Sequence, residues 1–232
     1  MSRLDENLTA VRARIDAAAR AAGREPSSVA LLAVSKTWPA ADVRALAALG
    51  QRDFGENRVQ ELIGKAGELA DLPLRWHLVG QLQRNKVPAV VRLGAVVHSV
   101  DRLRLAEALD RAGQDAGRPV EVFLQVDLGG APGDSAPRGG ADPAAVPELA
   151  DRVAEAPGLR LRGLMAVAPR SEDPAPAFAR LAELAARVRG DHPDSVELSA
   201  GMSGDLEAAV AAGATVVRVG TALFGERPLP SG

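Results

Sequence analysis

Apolar runs containing β-branched residues alternate along the chain with longer stretches in which apolar residues recur at helical spacing. The apolar runs lie at 29–35, 52–56, 74–80, 95–100, 120–127, 159–167, 196–200 and 215–220. The Ala- and Leu-rich stretches between them lie at 40–49, 57–70, 83–92, 102–116, 142–156, 174–189 and 203–212. This alternation of strands and helices predicts a parallel sheet with crossover helices.

Eight strands are the number that closes a barrel with its helices on the outside. The stretch 5–22, which ends at Gly23, predicts an additional N-terminal helix. We therefore expect an α/β chain that folds over 1–232 as a single (β/α)8, TIM-type barrel domain. An open, doubly wound sheet is the alternative, but no GxGxxG motif follows the first strand. The Gly/Pro-rich segment 129–143 predicts a flexible loop.

The composition argues against several kinds of partner and site. The 232-residue chain has a net charge of −2 and no cysteine. The lack of a basic surplus argues against nucleic acid and anionic membranes as partners. Without cysteine there is no thiol nucleophile, and the three histidines are too scattered to predict a metal site. The N-terminal stretch is amphipathic and lacks a long apolar run, which indicates a cytoplasmic protein.

Lysine is rare in this chain, and one lysine closes the first predicted strand. The chain has 28 basic residues, but lysine stands only at Lys36, Lys65 and Lys86. Catalytic groups of such barrels sit at the carboxyl ends of the strands, where Lys36 falls. Partial burial at the mouth of the barrel would favour its neutral, nucleophilic amine. A solvated lysine at a strand end is the alternative, and we interpret Lys65 as incidental.

Two segments near the end of the chain predict a phosphate site, because the loops after strands seven and eight are its usual place in this fold. Ser203 and Gly204 follow the seventh strand, and Gly220 and Thr221 follow the eighth. Taken separately, each segment is also typical of an ordinary helix cap or turn. Arg218 shares a face of its strand with Gly220 and would need an acceptor, such as a neutral ring nitrogen, unless it forms an external salt bridge.

A lysine, a phosphate site and an arginine for a ring nitrogen fit one ligand, pyridoxal 5′-phosphate (PLP), held as an internal aldimine. At this point the sequence resembles the pyridoxal phosphate homeostasis proteins, which share a barrel with the N-terminal domain of alanine racemase (the fold-type III PLP-binding barrel). The segments that carry the resemblance are AVSKT (33–37), DFGENRVQE (53–61), WHLVGQLQRNK (76–86), HSVDR (98–102), LRGLMAVAP (161–169), GMSGDLEAAVAAG (201–213) and VRVGTALFG (217–225).

The resemblance implies a set of cofactor-binding residues. Lys36 carries the PLP aldimine, and Arg218 faces the pyridine nitrogen. Asn57 lies beside the cofactor ring, whereas Met202 and His77 line the pocket. The phosphate is held by Ser203, Gly220 and Thr221. The sequence departs from the family pattern at two places. Arg58 stands where many relatives have Tyr, and the loop 129–141 is longer than expected, so no cofactor contacts are assigned there.

The residues favour a PLP carrier over an enzyme. Arg218 would disfavour protonation of the ring nitrogen, which weakens the cofactor as an electron sink. The resemblance implies that racemases of this fold use a lysine and a tyrosine as their two bases, and this chain contains no tyrosine. We expect a monomer that takes part in PLP homeostasis by exchanging the cofactor with amines or PLP-dependent apoenzymes. The alternatives are a weak PLP-dependent amino-acid racemase, with His77 or His98 as a base, and a Schiff-base aldolase acting on a phosphorylated sugar.

Overall fold

The computed structural model describes residues 2–129, 139–169 and 173–226. Eight parallel strands pair in chain order, and the first pairs with the last to close a barrel. The strands are Ala30–Val34 (β1), Asp53–Glu56 (β2), Arg75–Leu78 (β3), Val96–Val100 (β4), Val120–Val126 (β5), Leu159–Ala166 (β6), Glu197–Ser199 (β7) and Val216–Val219 (β8). The predicted (β/α)8 barrel is confirmed.

Helices connect the strands and cover the outside of the barrel. They are Arg3–Ala21 (α1), Ala40–Ala48 (α2), Val59–Glu68 (α3), Val87–Leu93 (α4), Leu103–Asp115 (α5), Val146–Ala154 (α6), Pro174–Asp191 (α7), Leu206–Ala211 (α8) and Thr221–Phe224 (α9). None of the helices within the described ranges is long and apolar enough to cross a membrane.

Side-chain alternation along the strands produces two separate apolar regions. The larger one joins outward-facing strand residues such as Phe54 and Val97 to the apolar faces of the helices. The smaller one contains Val96, Phe123 and Met165, which point to the barrel axis. Because successive strand residues face opposite sides, Val96 and Val97 fall into different regions.

The additional helix α1 packs against α2, α8 and α9. The Asn7 side-chain amide donates to the carbonyl oxygen of Leu223 at 2.8 Å. Arg14 forms a salt bridge with Glu207 at 2.8 Å and donates to the carbonyl oxygen of Ser203 at 3.0 Å. The extra helix therefore fixes the two segments at the carboxyl end of the barrel that were predicted to bind phosphate.

The structure differs from the predicted elements mainly near that end. The predicted helix 203–212 begins only at Leu206, because the Asp205 carboxylate accepts a hydrogen bond from the N–H of Met202 and holds a turn. The four-residue helix α9 was not predicted; it forms where Leu223 and Phe224 donate to the carbonyl oxygen of Gly220.

Part of the predicted flexible loop, 130–138, lies outside the described residues. Beyond it the chain returns to β5, where Ala141 donates to the carbonyl oxygen of Gln125 at 2.7 Å. The carbonyl oxygen of Ala141 in turn accepts from the N–H of Asp127 at 2.9 Å.

Candidate functional site

A cavity of about 560 Å³ opens at the carboxyl ends of the strands. Seven of the eight residues predicted from the sequence line it, namely Lys36, Asn57, Met202, Ser203, Arg218, Gly220 and Thr221. They come from segments that follow β1, β2, β7 and β8, and from β8 itself. The barrel thus brings the beginning and the end of the chain together around one space.

Lys36 is half-buried and stands two residues after the end of β1. The next residue, Thr37, has a φ of 69°, a left-handed conformation that is uncommon for a residue with a branched side chain. The Glu61 carboxylate on α3 accepts from the Thr37 N–H at 2.9 Å, and Trp38 donates to the carbonyl oxygen of Ser35 at 3.0 Å. This tight turn fixes the backbone on both sides of Lys36.

A buried ion pair supports the same turn from behind. Lys65 on α3 donates to Glu56 Oε1 at 2.5 Å and to the carbonyl oxygen of Ser35 at 2.7 Å. Burial raises the pKa of Glu56, against the opposing effects of Lys65 and Ser35. The interpretation of Lys65 as incidental is therefore wrong: its ammonium group holds the carboxyl end of β1 at the residue before Lys36.

Arg218 is a buried cation with neutral partners. Its guanidinium donates to the carbonyl oxygen of Ser199 at 2.6 Å, to Ser199 Oγ at 2.9 Å and to the carbonyl oxygen of Ala166 at 2.8 Å. Burial lowers its pKa to about 10. Among the described residues no carboxylate forms an ion pair with it. The alternative of an external salt bridge is not found in the described part of the chain, and Arg218 faces the cavity.

The two predicted phosphate-binding segments lie next to each other in the lining of the cavity. The backbone N–H groups of Ser203 and Gly204 donate to no other group in 2–129, 139–169 and 173–226, while Ser203 Oγ accepts from the N–H of Ala222 at 3.2 Å. A Cβ atom at Gly220 would lie 3.1 Å from the carbonyl oxygen of Val34. Uncommitted N–H groups beside a close backbone approach are suited to an anion such as phosphate.

Asn57 lies at the rim of the cavity, in the segment between β2 and α3. The chain after β3 passes so close to it that a Cβ atom at Gly80 would lie 2.1 Å from the Asn57 carbonyl oxygen. Only glycine fits at this crossing, because backbone atoms cannot move aside as a flexible side chain can. Gly80 therefore fixes the position of Asn57.

Sequence reasoning missed several lining residues. Trp38 lines the cavity and stacks on Phe224, with ring centroids 5.9 Å apart. Gln81 donates to Gln125 Oε1 at 2.7 Å, and both side chains face the cavity. The signal for Gln125 was its position two residues beyond the inward-facing Phe123, whereas nothing in the periodicity indicates the turn that places Trp38.

His77 does not line this cavity, and that expectation is corrected. Its ring lies deeper in the barrel, beside a second space of about 350 Å³ at the amino ends of the strands. Val79, two residues further along, is the residue of this segment that reaches the cavity. His98, the other base considered, is also fully buried and does not line the cavity.

The ionisable side chains that line the cavity, within the described ranges, are Lys36 and Arg218. Lys36 can act as a nucleophile and a base, whereas a guanidinium stays protonated at neutral pH. The described lining therefore offers one side chain that can act as a base, Lys36. No group of three His, Asp or Glu side chains suited to a metal occurs in the described part of the chain.

Comparison with known proteins agrees with this geometry. Residues 7–228 match the model of the alanine racemase N-terminal domain. The pyridoxal phosphate homeostasis protein of Pseudomonas aeruginosa is 50% identical over 230 residues, covering 98% of this chain and 97% of the relative. That of Escherichia coli K12 is 42% identical over 238 residues, covering 98% of both chains.

Solved structures show the same architecture. PipY of Synechococcus elongatus PCC7942, with PLP bound, has a TM-score of 0.83 and 42% identity, covering 96% of this chain and all (100%) of PipY. Alanine racemase of Streptomyces coelicolor A3(2) has a TM-score of 0.75 and 24% identity; the match covers 98% of this chain and 59% of the racemase, and supports the fold alone. The chain thus belongs to the alanine racemase N-terminal domain family and, within it, to the pyridoxal phosphate homeostasis proteins.

Proposed function

We propose that this chain binds PLP covalently through Lys36 and takes part in PLP homeostasis as a carrier or buffer of the cofactor. The observation that carries the proposal is one cavity that joins a half-buried lysine, a buried arginine and two segments suited to an anion. Within the described residues, that arginine has no carboxylate partner. The names of the relatives and the PLP-bound structure of PipY support the same ligand.

The residues present fit PLP at its aldehyde, its phosphate and its ring nitrogen. Lys36 would hold the aldehyde carbon, and the segments at Ser203 and Thr221 would hold the phosphate. Arg218 would donate to the ring nitrogen. Asn57 and Met202 would lie beside the ring. Bound PLP supplies an aldehyde that condenses reversibly with amines.

The charge of Arg218 favours holding the cofactor over catalysis. Carbanion chemistry on PLP benefits from a protonated ring nitrogen, and a guanidinium beside that nitrogen disfavours its protonation. Racemisation also requires a second base. In the described lining, Lys36 is the one side chain that can act as a base, so a second base is missing there. Lys36 would therefore retain PLP until an incoming amine, or the lysine of a PLP-dependent apoenzyme, removes it.

The visible absorption of the purified protein during titration with PLP tests this proposal. The parent should develop a yellow band that saturates at one PLP per chain. Lys36→Ala should lose the band, whereas Lys86→Ala, which changes a lysine outside the cavity, should keep it. A parent that stays colourless and binds a sugar phosphate would contradict the proposal and favour the Schiff-base aldolase.

Amino-acid turnover separates the carrier from the weak racemase. With PLP bound, the parent should leave the enantiomeric composition of alanine and other amino acids unchanged over hours. Measurable racemisation that is lost in Lys36→Ala would contradict the carrier role. The cytoplasmic location and the monomeric state stay predictions from the sequence.

A further inference from the structure

A continuous chain of polar side chains runs along the barrel axis and ends at Arg218. At the amino end, Asp53 Oδ1 lies 3.0 Å from His77 Nε2. His77 Nδ1 lies 2.9 Å from His98 Nε2, and His98 Nδ1 lies 3.0 Å from Ser199 Oγ. Ser199 Oγ then accepts from Arg218 at 2.9 Å. The chain connects the amino end of the barrel with the cavity at the carboxyl end.

The chemistry of the two ends fixes the direction of every hydrogen bond. The Asp53 carboxylate only accepts, so His77 must carry a proton on Nε2. A neutral His77 then accepts at Nδ1, so His98 donates from Nε2 and accepts at Nδ1. The Ser199 hydroxyl consequently donates to His98, which leaves its lone pairs for the donor-only guanidinium of Arg218.

Burial around the two rings is consistent with their neutral form. The exposed fraction is 5% for His77 and 0% for His98. Burial lowers the pKa of His77 and lowers that of His98 well below its ordinary value. The His98 ring also stacks on Phe123, with centroids 4.3 Å apart, which restricts its rotation.

We propose that His77, His98 and Ser199 are positioning residues that orient Arg218 toward the ring nitrogen of bound PLP. The proposal rests on the function proposed above. Because Ser199 donates to His98, its oxygen becomes a stronger and directional acceptor, since hydrogen bonds in a chain polarise one another. The guanidinium plane is thereby held between Ser199 and the carbonyl oxygen of Ala166, with its remaining edge toward the cavity.

One additional proton on His77 would reverse the direction of the hydrogen bonds from His77 to Ser199. A doubly protonated His77 donates from Nδ1, so His98 must accept at Nε2 and donate from Nδ1. Ser199 Oγ would then face two donors, His98 and Arg218, and its own proton would lose its acceptor. The charged groups that surround the two rings are Asp53 on β2, Arg75 on β3, Glu121 on β5, Glu197 on β7 and Arg218 on β8.

Nitrogen NMR of the histidines in the cofactor-free protein tests the direction of these hydrogen bonds. The protein has three histidines, and His192 lies outside the barrel interior, where it serves as a reference. At pH 7.5 both His77 and His98 should show a protonated Nε2 and an unprotonated Nδ1. A protonated Nδ1 on either ring would overturn the proposed direction.

PLP affinity tests the effect on Arg218, using variants that separate polarity from packing. Ser199→Ala and His98→Leu interrupt the series of hydrogen bonds that ends at Arg218. Each should weaken PLP binding about tenfold, the equivalent of one lost hydrogen bond. His98→Gln can still accept from Ser199 and donate to His77, so it should rescue the affinity to within about twofold of the parent. The visible band of bound PLP should shift in the two broken variants and stay in place in His98→Gln.

The outcomes distinguish this role from the proposed function itself. If the parent binds PLP and folded Ser199→Ala binds it equally well with an unshifted band, the positioning role is overturned and PLP binding stands. If the parent takes up no PLP, the proposed function is overturned and the positioning role with it. Thermal unfolding of each variant shows that the protein tested is folded; if His98→Leu does not fold, Ser199→Ala decides.

Discussion

At the amino end of the barrel, charged side chains have partners of opposite sign: Glu121 accepts from Arg75 and Arg162, and Arg162 also pairs with Glu197. At the carboxyl end, the buried guanidinium of Arg218 has neutral oxygen partners within the described residues. A buried cation without a paired anion is costly to keep. The contrast indicates that paired charges stabilise the barrel, as the amino-end network and the Lys65–Glu56 pair do, whereas the charge of Arg218 agrees with the proposed ligand role.

The largest effect is expected where a paired charge is buried. Lys65→Met would leave Glu56 buried without its cation and should lower the free energy of unfolding by about 3–5 kcal/mol. Urea denaturation measures the change. The control Lys86→Met changes a half-buried lysine outside the cavity and should change little. The double variant Glu56→Leu/Lys65→Met should recover most of the loss. Equal stability of Lys65→Met and the parent would show that this pair does not support the turn.

A smaller effect is expected from crowding the crossing beside Asn57. Gly80→Ala places a methyl group against backbone and should lower the free energy of unfolding by about 1–3 kcal/mol, with weaker PLP uptake as the rim moves. Gly64→Ala in α3 is the matched control, since a Cβ atom there meets no neighbour and a mid-helix glycine is unfavourable. That control should be stabilised by about 0.5–1 kcal/mol.

Breaking the charge network at the amino end should affect stability alone. Arg162→Met removes a half-buried partner of two carboxylates and should lower the free energy of unfolding by about 1–2 kcal/mol. Arg160→Met, at an exposed position of the same strand, should be near neutral. Both variants should bind PLP with the affinity of the parent; a loss of affinity in Arg162→Met alone would remove the distinction between the two ends.

The smallest effect is a pH dependence of stability from the axial histidines. Because burial holds the pKa values of His77 and His98 below the unfolded value of about 6.5, the unfolded chain takes up protons first as the pH falls. The contribution of the two neutral histidines to the free energy of unfolding is complete above about pH 6.5 and is lost as the pH falls below that value. His98→Gln should flatten the fall in unfolding free energy between pH 7 and pH 5, and an unchanged slope would count against neutral buried histidines.

Much of the site followed from strand ends alone. Lys36 and Arg218 were predicted because apolar runs locate strands, and the carboxyl ends of parallel strands meet at one face of a barrel. The two segments proposed to bind phosphate followed from the same rule. These residues needed no knowledge of which helices pack where.

The remainder depends on contacts that periodicity does not describe. The resemblance implied that His77 lines the pocket but did not give its depth, because strands in a barrel are staggered along the axis. Lys65 was misread because its partner, Glu56, comes from another element and is brought to it only when α3 packs on β2. Trp38 was missed because its place depends on the left-handed conformation of Thr37.

Borohydride reduction of the PLP-loaded protein, followed by peptide mass mapping, tests the central claim most directly. The chain has three lysines, so the mass of one phosphopyridoxyl group can be assigned to a single peptide. The account predicts that the group is trapped on the peptide containing Lys36, with none on those containing Lys65 or Lys86. Trapping on either of the other two lysines, or on none, would contradict it.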